Sequence, residues 1–173
     1  PVVFVTGGGT GSMRVNQLLL EGIGHLSGHC QIIHLSGLER PRDQVERAAR
    51  LFPFYHPYQF FTEEMRDAYA AADLVVARGG FGTIAELAAL SKPAILIPKP
   101  GHQDDNVAYF ATRDAAVSFD EDKNNGYHLA VQIKNLLADR QRRKNLGERL
   151  HELLPEAGSD QVRTLVAPFI QPT

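Results

Sequence analysis

Residues 74–77, Leu-Val-Val-Ala, run into Arg78-Gly79-Gly80-Phe81-Gly82-Thr83 and then at once into a helix-forming segment. A short apolar run, three glycines among four residues and a helix start leave the chain little choice. They make a strand, a tight turn and the first turn of a helix. Each glycine costs extra backbone entropy, so close approach by a ligand is the economical reading of such a cluster. Unpaired amides at a helix start attract anions. Glu86 follows Thr83 by three residues, about one turn into the helix, where a carboxylate can accept hydrogen bonds from a neutral diol. An anion next to a diol is the profile of a nucleotide sugar. In the plainer reading Arg78 is a surface arginine and Glu86 an ordinary helix glutamate.

The rest of the chain alternates in the same way. Residues 2–5 form a β-branched run that ends in Gly7-Gly8-Gly9-Thr10-Gly11-Ser12. A helical segment follows with Val15, Leu18, Leu19 and Ile23 on one face. Gln31–Leu35 reads as the next strand, and a charged surface helix opened by Pro41 carries Val45, Ala48 and Ala49. Residues 52–58 are aromatic, but Pro53 and Pro57 limit them to a short or edge strand. Thr62 is expected to cap a helix whose first turn holds Glu63 and Glu64. Residues 74–77, 94–97 and 116–119 read as buried strands, with helices over 83–90 and 104–112 between them. Beyond Asp120 the pattern is helical, over 126–138, 140–153 and 160–169. This predicts an α/β fold, a Rossmann-like doubly wound parallel sheet with helices on both faces and C-terminal helices. At 173 residues it suggests a single domain.

Ligands of such sheets bind outside the carboxyl ends of the strands. Polar loops follow strands there at 7–12, 78–83 and 99–103. In the first, glycines let backbone approach an anion, and Thr10 or Ser12 can donate a hydroxyl. Such a turn also serves for tight packing alone. It is not G-x-G-x-x-G, and no P-loop lysine follows. In the third, Gln103 and Asn106 lie three apart at a helix start, so their amides can face one target such as sugar hydroxyls. Asp104 and Asp105 also read as dipole partners, and His102 as a polar turn residue.

A formal charge of −2 shows none of the basic excess that marks a nucleic-acid partner. One cysteine, Cys30, excludes an internal disulfide framework and fits a reducing compartment. No apolar run approaches the roughly 18 residues that span a bilayer, and no signal peptide is visible. Pro1 leads straight into a strand, which reads as the start of a fragment or of a processed chain. G-x-S-x-G and H-E-x-x-H are absent, and the histidines at 25, 29, 34, 56 and 128 show no metal-ligand spacing.

The three loops together resemble the C-terminal domain of glycosyltransferase family 28, one half of the GT-B fold. The likeness covers nearly the whole chain. It rests on Gly7-Gly8-Gly9-Thr10-Gly11 with Asn16, Met65, Tyr69-x-x-x-Asp73, Arg78-x-Gly80-x-x-Thr83-x-x-Glu86, Lys92-Pro93-Ala94 and His102-Gln103-x-x-Asn106. It implies that residues 1–173 are one UDP-sugar-binding domain. The donor would be UDP-N-acetylglucosamine, bound as substrate with no further cofactor and no metal. By the same resemblance Gly8, Gly9, Thr10, Gly11 and Ser12 contact the diphosphate, as do the helix-start amides of Phe81, Gly82 and Thr83. Arg78, Gly80 and His102 belong to the same donor site. The backbone of Phe61 and Thr62 faces uracil, Glu86 binds the ribose, and Gln103 and Asn106 bind sugar hydroxyls. Two departures stand out: Gly9-Thr10 replaces a common Ser-Gln, and Val107 replaces a second glutamine of some members.

The implied reaction is an inverting transfer to a lipid-linked acceptor in peptidoglycan synthesis, at the cytoplasmic face of the membrane. The general base is then expected on an N-terminal acceptor domain or a separate partner subunit, which would also make the membrane contact. This chain would bind the donor without transferring it alone. The stripe Val162, Leu165, Val166 and Phe169 would either cross to that missing half or pack on this one. Two other roles suit the same donor loops: a soluble donor-binding subunit of a two-component transferase, and a UDP-sugar hydrolase or epimerase. A plain module for another nucleotide is weakened by the missing G-x-G-x-x-G and P-loop lysine.

Overall fold

A computed structural model of the chain describes residues 1–155, 158, 163, 164 and 166–169. Strands β1 (Val2–Thr6), β2 (Gln31–Leu35), β3 (Tyr55–Tyr58), β4 (Leu74–Arg78), β5 (Ala94–Ile97) and β6 (Val117–Ser118) form one sheet. All neighbours are parallel, in the order β3-β2-β1-β4-β5-β6. Helices α1 (Met13–Gly22), α2 (Asp43–Leu51), α3 (Met65–Ala71), α4 (Phe81–Ala89), α5 (His102–Ala111), α6 (Gly126–Ala138) and α7 (Arg140–Leu153) join and cover the strands. A 3-10 turn, Ile23–Leu26, extends α1. The expected Rossmann-like doubly wound sheet is present. The helix expected over 160–169 falls largely outside the described residues; Ala167–Phe169 form a 3-10 turn.

The strands are apolar on both sides because both faces are covered. Val3, Val5, Leu74, Val76, Ile95 and Ile97 point into one core layer, with Val15, Leu18 and Leu19 of α1, Val45 of α2 and Ile133 of α6. Phe4, Val75, Ala77, Ala94 and Leu96 point into the other, with Ala68 and Tyr69 of α3, Ile84 and Leu87 of α4 and Phe110 of α5. Helix α7 reaches both, through Leu146 and Leu150. The edges are short: β3 carries Pro57, which has no N–H to give a further strand, and β6 is two residues long. Helix α3 starts later than expected. Thr62 does not cap it; the N-cap is Glu64, whose carboxylate takes the N–H groups of Thr62 (2.9 Å) and Glu63 (3.1 Å). The glutamate bends back onto the two preceding amides, and no side chain caps the first turn of α3.

Glycines set the closest helix contact. Gly22 of α1 meets Gly126 of α6 with no room for a side chain, and a Cβ on Gly126 would overlap the Leu18 carbonyl. The Gly126 N–H also donates to Glu21 Oε2 (3.1 Å). Gly126→Ala is expected to destabilise the protein by about 1–3 kcal/mol, the usual cost of overpacking, as read from the denaturant midpoint.

A buried polar chain crosses the first core layer. Asn16 Nδ2 donates to the Ser36 carbonyl (2.9 Å), which turns Asn16 Oδ1 toward His34 Nε2 (3.0 Å). Nε2 therefore carries the proton, and Nδ1 accepts from the Tyr55 hydroxyl (2.6 Å). Every polar atom of the imidazole is satisfied in the neutral form, and burial lowers the His34 pKa from 6.5 to about 3. The unfolded chain binds this proton below about pH 6.5, whereas the folded chain excludes it until about pH 3. Stability from this group is thus full above pH 6.5 and is lost as pH falls through that window. Denaturation midpoints should fall between pH 6.5 and 3, and His34→Leu should flatten that slope while lowering stability at every pH.

Candidate functional site

The strand order turns at the junction of β1 and β4, whose connections run outward to opposite sides of the sheet. The crevice there, at the carboxyl ends, is where such sheets take ligands. The three polar loops of the sequence meet at this edge.

The β1 turn holds its shape through backbone. Gly11 N–H donates to the Gly8 carbonyl (3.0 Å), and both residues have positive φ, +80° at Gly8 and +71° at Gly11. Gly7 and Gly11 are needed for packing: a Cβ on Gly7 would strike Ser12 N, and one on Gly11 would lie 2.6 Å from the Ser36 carbonyl. Gly9 has no such reason. Its φ lies outside the left-handed range, and a Cβ there would meet only open space. Thr10 is exposed, while Ser12 is buried and caps α1 by accepting the Val15 N–H (3.3 Å).

At β4 the division repeats. Gly79 lies against Val107, where a Cβ would overlap Val107 Cγ2. Gly80 is the extended N-cap of α4, with no side chain capping the helix. The first intrahelical bond runs from Ile84 N–H to the Gly80 carbonyl (3.0 Å), so the amides of Phe81, Gly82 and Thr83 have no intrahelical partner. Gly82 faces open space, and Phe81 is 59% exposed. Glu86 is exposed one turn in, and its Oε2 accepts the Tyr69 hydroxyl (2.8 Å). Burial, then this bond to Glu86, raises the Tyr69 pKa, so the phenol stays a donor. One oxygen of Glu86 is held in place while the other remains open to an incoming hydroxyl.

Arg78 is not a surface arginine. Its Nε donates to Ser12 Oγ (2.9 Å), and Nη1 reaches the carbonyls of Ile97 (3.3 Å) and Pro98 (3.1 Å) and the Glu121 carboxylate (2.7 Å). Arginine and glutamate side chains are only 12% and 11% exposed. The β5 loop is tied as well. Gln103 Oε1 accepts the Lys99 N–H (3.0 Å), and Asp104 Oδ2 accepts the Gly101 N–H (2.8 Å). The Gln103 Nε2 lies beside Gly80, 3.7 Å from the place a Cβ would take. Asn106 is half-buried, and Val107 is 1% exposed, turned inward beneath the β4 turn. His102 opens α5, and its side chain lies outside the described residues. Phe61 is buried against Phe4 and Tyr58, leaving the exposed Thr62 at the rim of the β3 end.

The structure thus gathers the 7–12, 78–83 and 99–103 loops at one edge. The sequence reading missed Glu121, which sits between Asp120 and Asp122 and looks like part of a solvated acidic run. It also passed over His34 and Tyr55, for which no local spacing gives a signal. A groove of about 640 Å³ lies between α1 and α2, past Gln17, Pro41 and Gln44, and none of the three loops lines it. Among the described residues no three His, Cys, Asp or Glu side chains are placed to hold a metal ion.

Sheet order, two-sided helical cover and the open helix-start turn at the switch point define a Rossmann-like α/β unit whose three polar loops meet at the β1–β4 junction. The chain belongs to glycosyltransferase family 28: the family's C-terminal domain matches residues 2–156. It is 35% identical, over 99% of its length, to the UDP-N-acetylglucosamine--N-acetylmuramyl-(pentapeptide) pyrophosphoryl-undecaprenol N-acetylglucosamine transferase of Anaeromyxobacter sp. (strain Fw109-5), and covers 46% of that protein. The protein of the same description from Citrifermentans bemidjiense is 37% identical over 78% of the chain and 39% of its own length. Among solved structures, MurG of Acinetobacter baumannii superposes with a TM-score of 0.81 at 24% identity, over 96% of this chain and 49% of that one. The chain therefore spans less than half the length of these relatives.

The two kinds of glycine should behave oppositely on substitution. Gly79→Ala is expected to cost about 1–3 kcal/mol through its clash with Val107. Gly82→Ala, in the first turn of α4, should leave stability unchanged or raise it by up to about 1 kcal/mol. Thermal melts of the two variants test this.

Proposed function

We propose that this chain is the donor-binding half of an inverting hexosyltransferase that moves N-acetylglucosamine from UDP to a lipid-linked acceptor. The observation that carries the reading is the β4 turn: three free helix-start amides beside an oriented carboxylate, reached past Gly80 and Gly82, where a side chain would meet no clash. The donor diphosphate lies against the amides of Phe81, Gly82 and Thr83 and against the open β1 turn at Gly8 and Gly9. Glu86, with one oxygen anchored by Tyr69, takes the ribose hydroxyls. The rim at Phe61 and Thr62 takes the base. Thr62 N–H is already given to Glu64, so a uracil contact there falls to other backbone atoms or displaces that carboxylate.

The sugar end is read by Asn106 and Gln103. Val107, packed beneath Gly79, offers no polar group where some relatives have a second glutamine. Gln103 must turn from Lys99 or use its Nε2 as a donor. In the reaction an acceptor hydroxyl attacks the anomeric carbon, its proton passing to a base, as the bond to UDP breaks. Negative charge grows on the diphosphate. Preorganised amides and a helix N-terminus aimed at it stabilise that charge with no protein-bound metal. The base and the acceptor site belong to sequence outside this chain, so donor binding without transfer is the expected behaviour here. The names carried by the relatives support UDP-N-acetylglucosamine as donor and an undecaprenol-linked acceptor. No helix among the described residues is long and apolar enough to cross a membrane.

Calorimetry with UDP tests the reading, and absence of binding at millimolar concentration would sink it. Glu86→Ala should weaken UDP and uridine by about tenfold or more, the loss of a charged hydrogen-bond acceptor, and leave inorganic pyrophosphate nearly unaffected. Equal weakening of UDP and pyrophosphate would remove the ribose role. Gly82→Ala should weaken UDP without loss of stability.

A further inference from the structure

Three arginines and lysines close to the glycine turns differ in what they touch. Lys99 is exposed, and Arg40 gives Nη2 to the Gly11 carbonyl (3.2 Å) at the flank of the β1 turn. Arg78 alone is locked behind the turns, against the buried carboxylate of Glu121. Glu121 enters from the loop after β6, on the far side of β5. Its main chain is fixed too: Arg14 of α1 donates to the carbonyls of Glu121 (2.7 Å) and Asn124 (3.4 Å).

The consequence falls on Ser12. A serine oxygen has two lone pairs and one proton. Here one lone pair takes the Val15 N–H and the other the Arg78 Nε–H. The hydroxyl proton is left for the third tetrahedral direction, and among the described residues no acceptor takes it. A cationic donor on the oxygen also polarises the O–H and strengthens the bond it can give. Without Glu121, the guanidinium would be a buried charge with two carbonyls and a hydroxyl for company, free to swing off Ser12 toward solvent or an anion.

We propose that Glu121 is a positioning residue for the donor diphosphate: through Arg78 it sets the Ser12 hydroxyl as a free hydrogen-bond donor at the β1 turn. This rests on the reading of that turn as a diphosphate cradle. The role differs from direct contact by Arg78, whose Nε and Nη1 are spent within the protein. It also differs from plain stabilisation, because it predicts an effect confined to ligands that carry the diphosphate.

The test is a double-mutant cycle by calorimetry on the protein, with UDP and uridine as probes, at a temperature where melts show each variant folded. Ser12→Ala and Glu121→Ala should each weaken UDP by about tenfold, with uridine within about twofold, as expected for one charge-assisted hydrogen bond. The double variant should be no weaker than about tenfold, because both changes remove the same bond. Arg78→Lys keeps a charge on Glu121 but cannot reach Ser12 as well, so it should match Ser12→Ala and add nothing to it; it replaces Glu121→Ala if that variant does not fold. Independent losses that multiply to about a hundredfold, or equal losses for UDP and uridine, would overturn the positioning role. Lowered melting temperature with unchanged UDP affinity would do the same. Failure of the unaltered protein to bind UDP would instead overturn the diphosphate reading, and the positioning role with it.

Discussion

Both faces of a parallel sheet must be covered, and that constraint leaves its strand ends as the only places for exposed chemistry. Here α1, α2 and α6 cover one face and α3, α4 and α5 the other. Each crossover brings a helix back so that its N-terminus stands over a strand's carboxyl end, where unpaired amides and the positive end of the dipole collect. At β1 and β4 the two turns leave in opposite directions, so a crevice opens between amide clusters without any loop having to be cut into the core. The site is a by-product of covering the sheet. What remains to be specified is the chemistry of a few turn residues.

Those turns have to be open to a ligand yet rigid, and the protein separates the two demands residue by residue. Gly7, Gly11 and Gly79 let backbone pack on backbone or side chain. Gly9 and Gly82 bound empty space. Beneath them a buried arginine ties the β1 turn, the end of β5 and the loop after β6 into one piece. An ion pair with so little exposure loses much of its attraction to desolvation, so its value lies less in net stability than in holding geometry. The Tyr69–Glu86 pair does the same at the other end of the crevice, where a buried phenol steers an exposed carboxylate.

Much of this was legible from local pattern. Strands buried on both faces read as uninterrupted apolar runs, so 2–5, 74–77 and 94–97 could be located nearly to the residue, and 31–35, interrupted by His34, followed from the same alternation. Glycine clusters after strands marked the edge where the three polar loops meet. Less was legible where partners are far apart in the chain. Thr62 and Glu64 both suit a helix start, and only the path of the loop decides that the glutamate's carboxylate folds back over two amides. His34 sits in an apolar strand with a period that says only that it is inside. Tyr55 and Asn16, distant in sequence, determine that it is satisfied and neutral. Gln103 looks free for a sugar in a linear reading, but in the fold its Oε1 accepts the Lys99 N–H.

The sequence by itself determined the order of strands and helices and which three polar loops follow strands at the carboxyl edge of the sheet, because these follow from hydrophobic period and from glycine at turns; the family followed from the short motifs the chain shares with it. It could not say which polar side chains in those loops are free. Arg78 reads as a surface arginine or a donor-site residue, and only the packing of β5 and the loop after β6 around it shows that Glu121 holds it inside. That difference has a physical cause: local pattern encodes backbone conformation and burial, whereas the state of a charged group depends on neighbours brought close by tertiary contacts and on how little water reaches them.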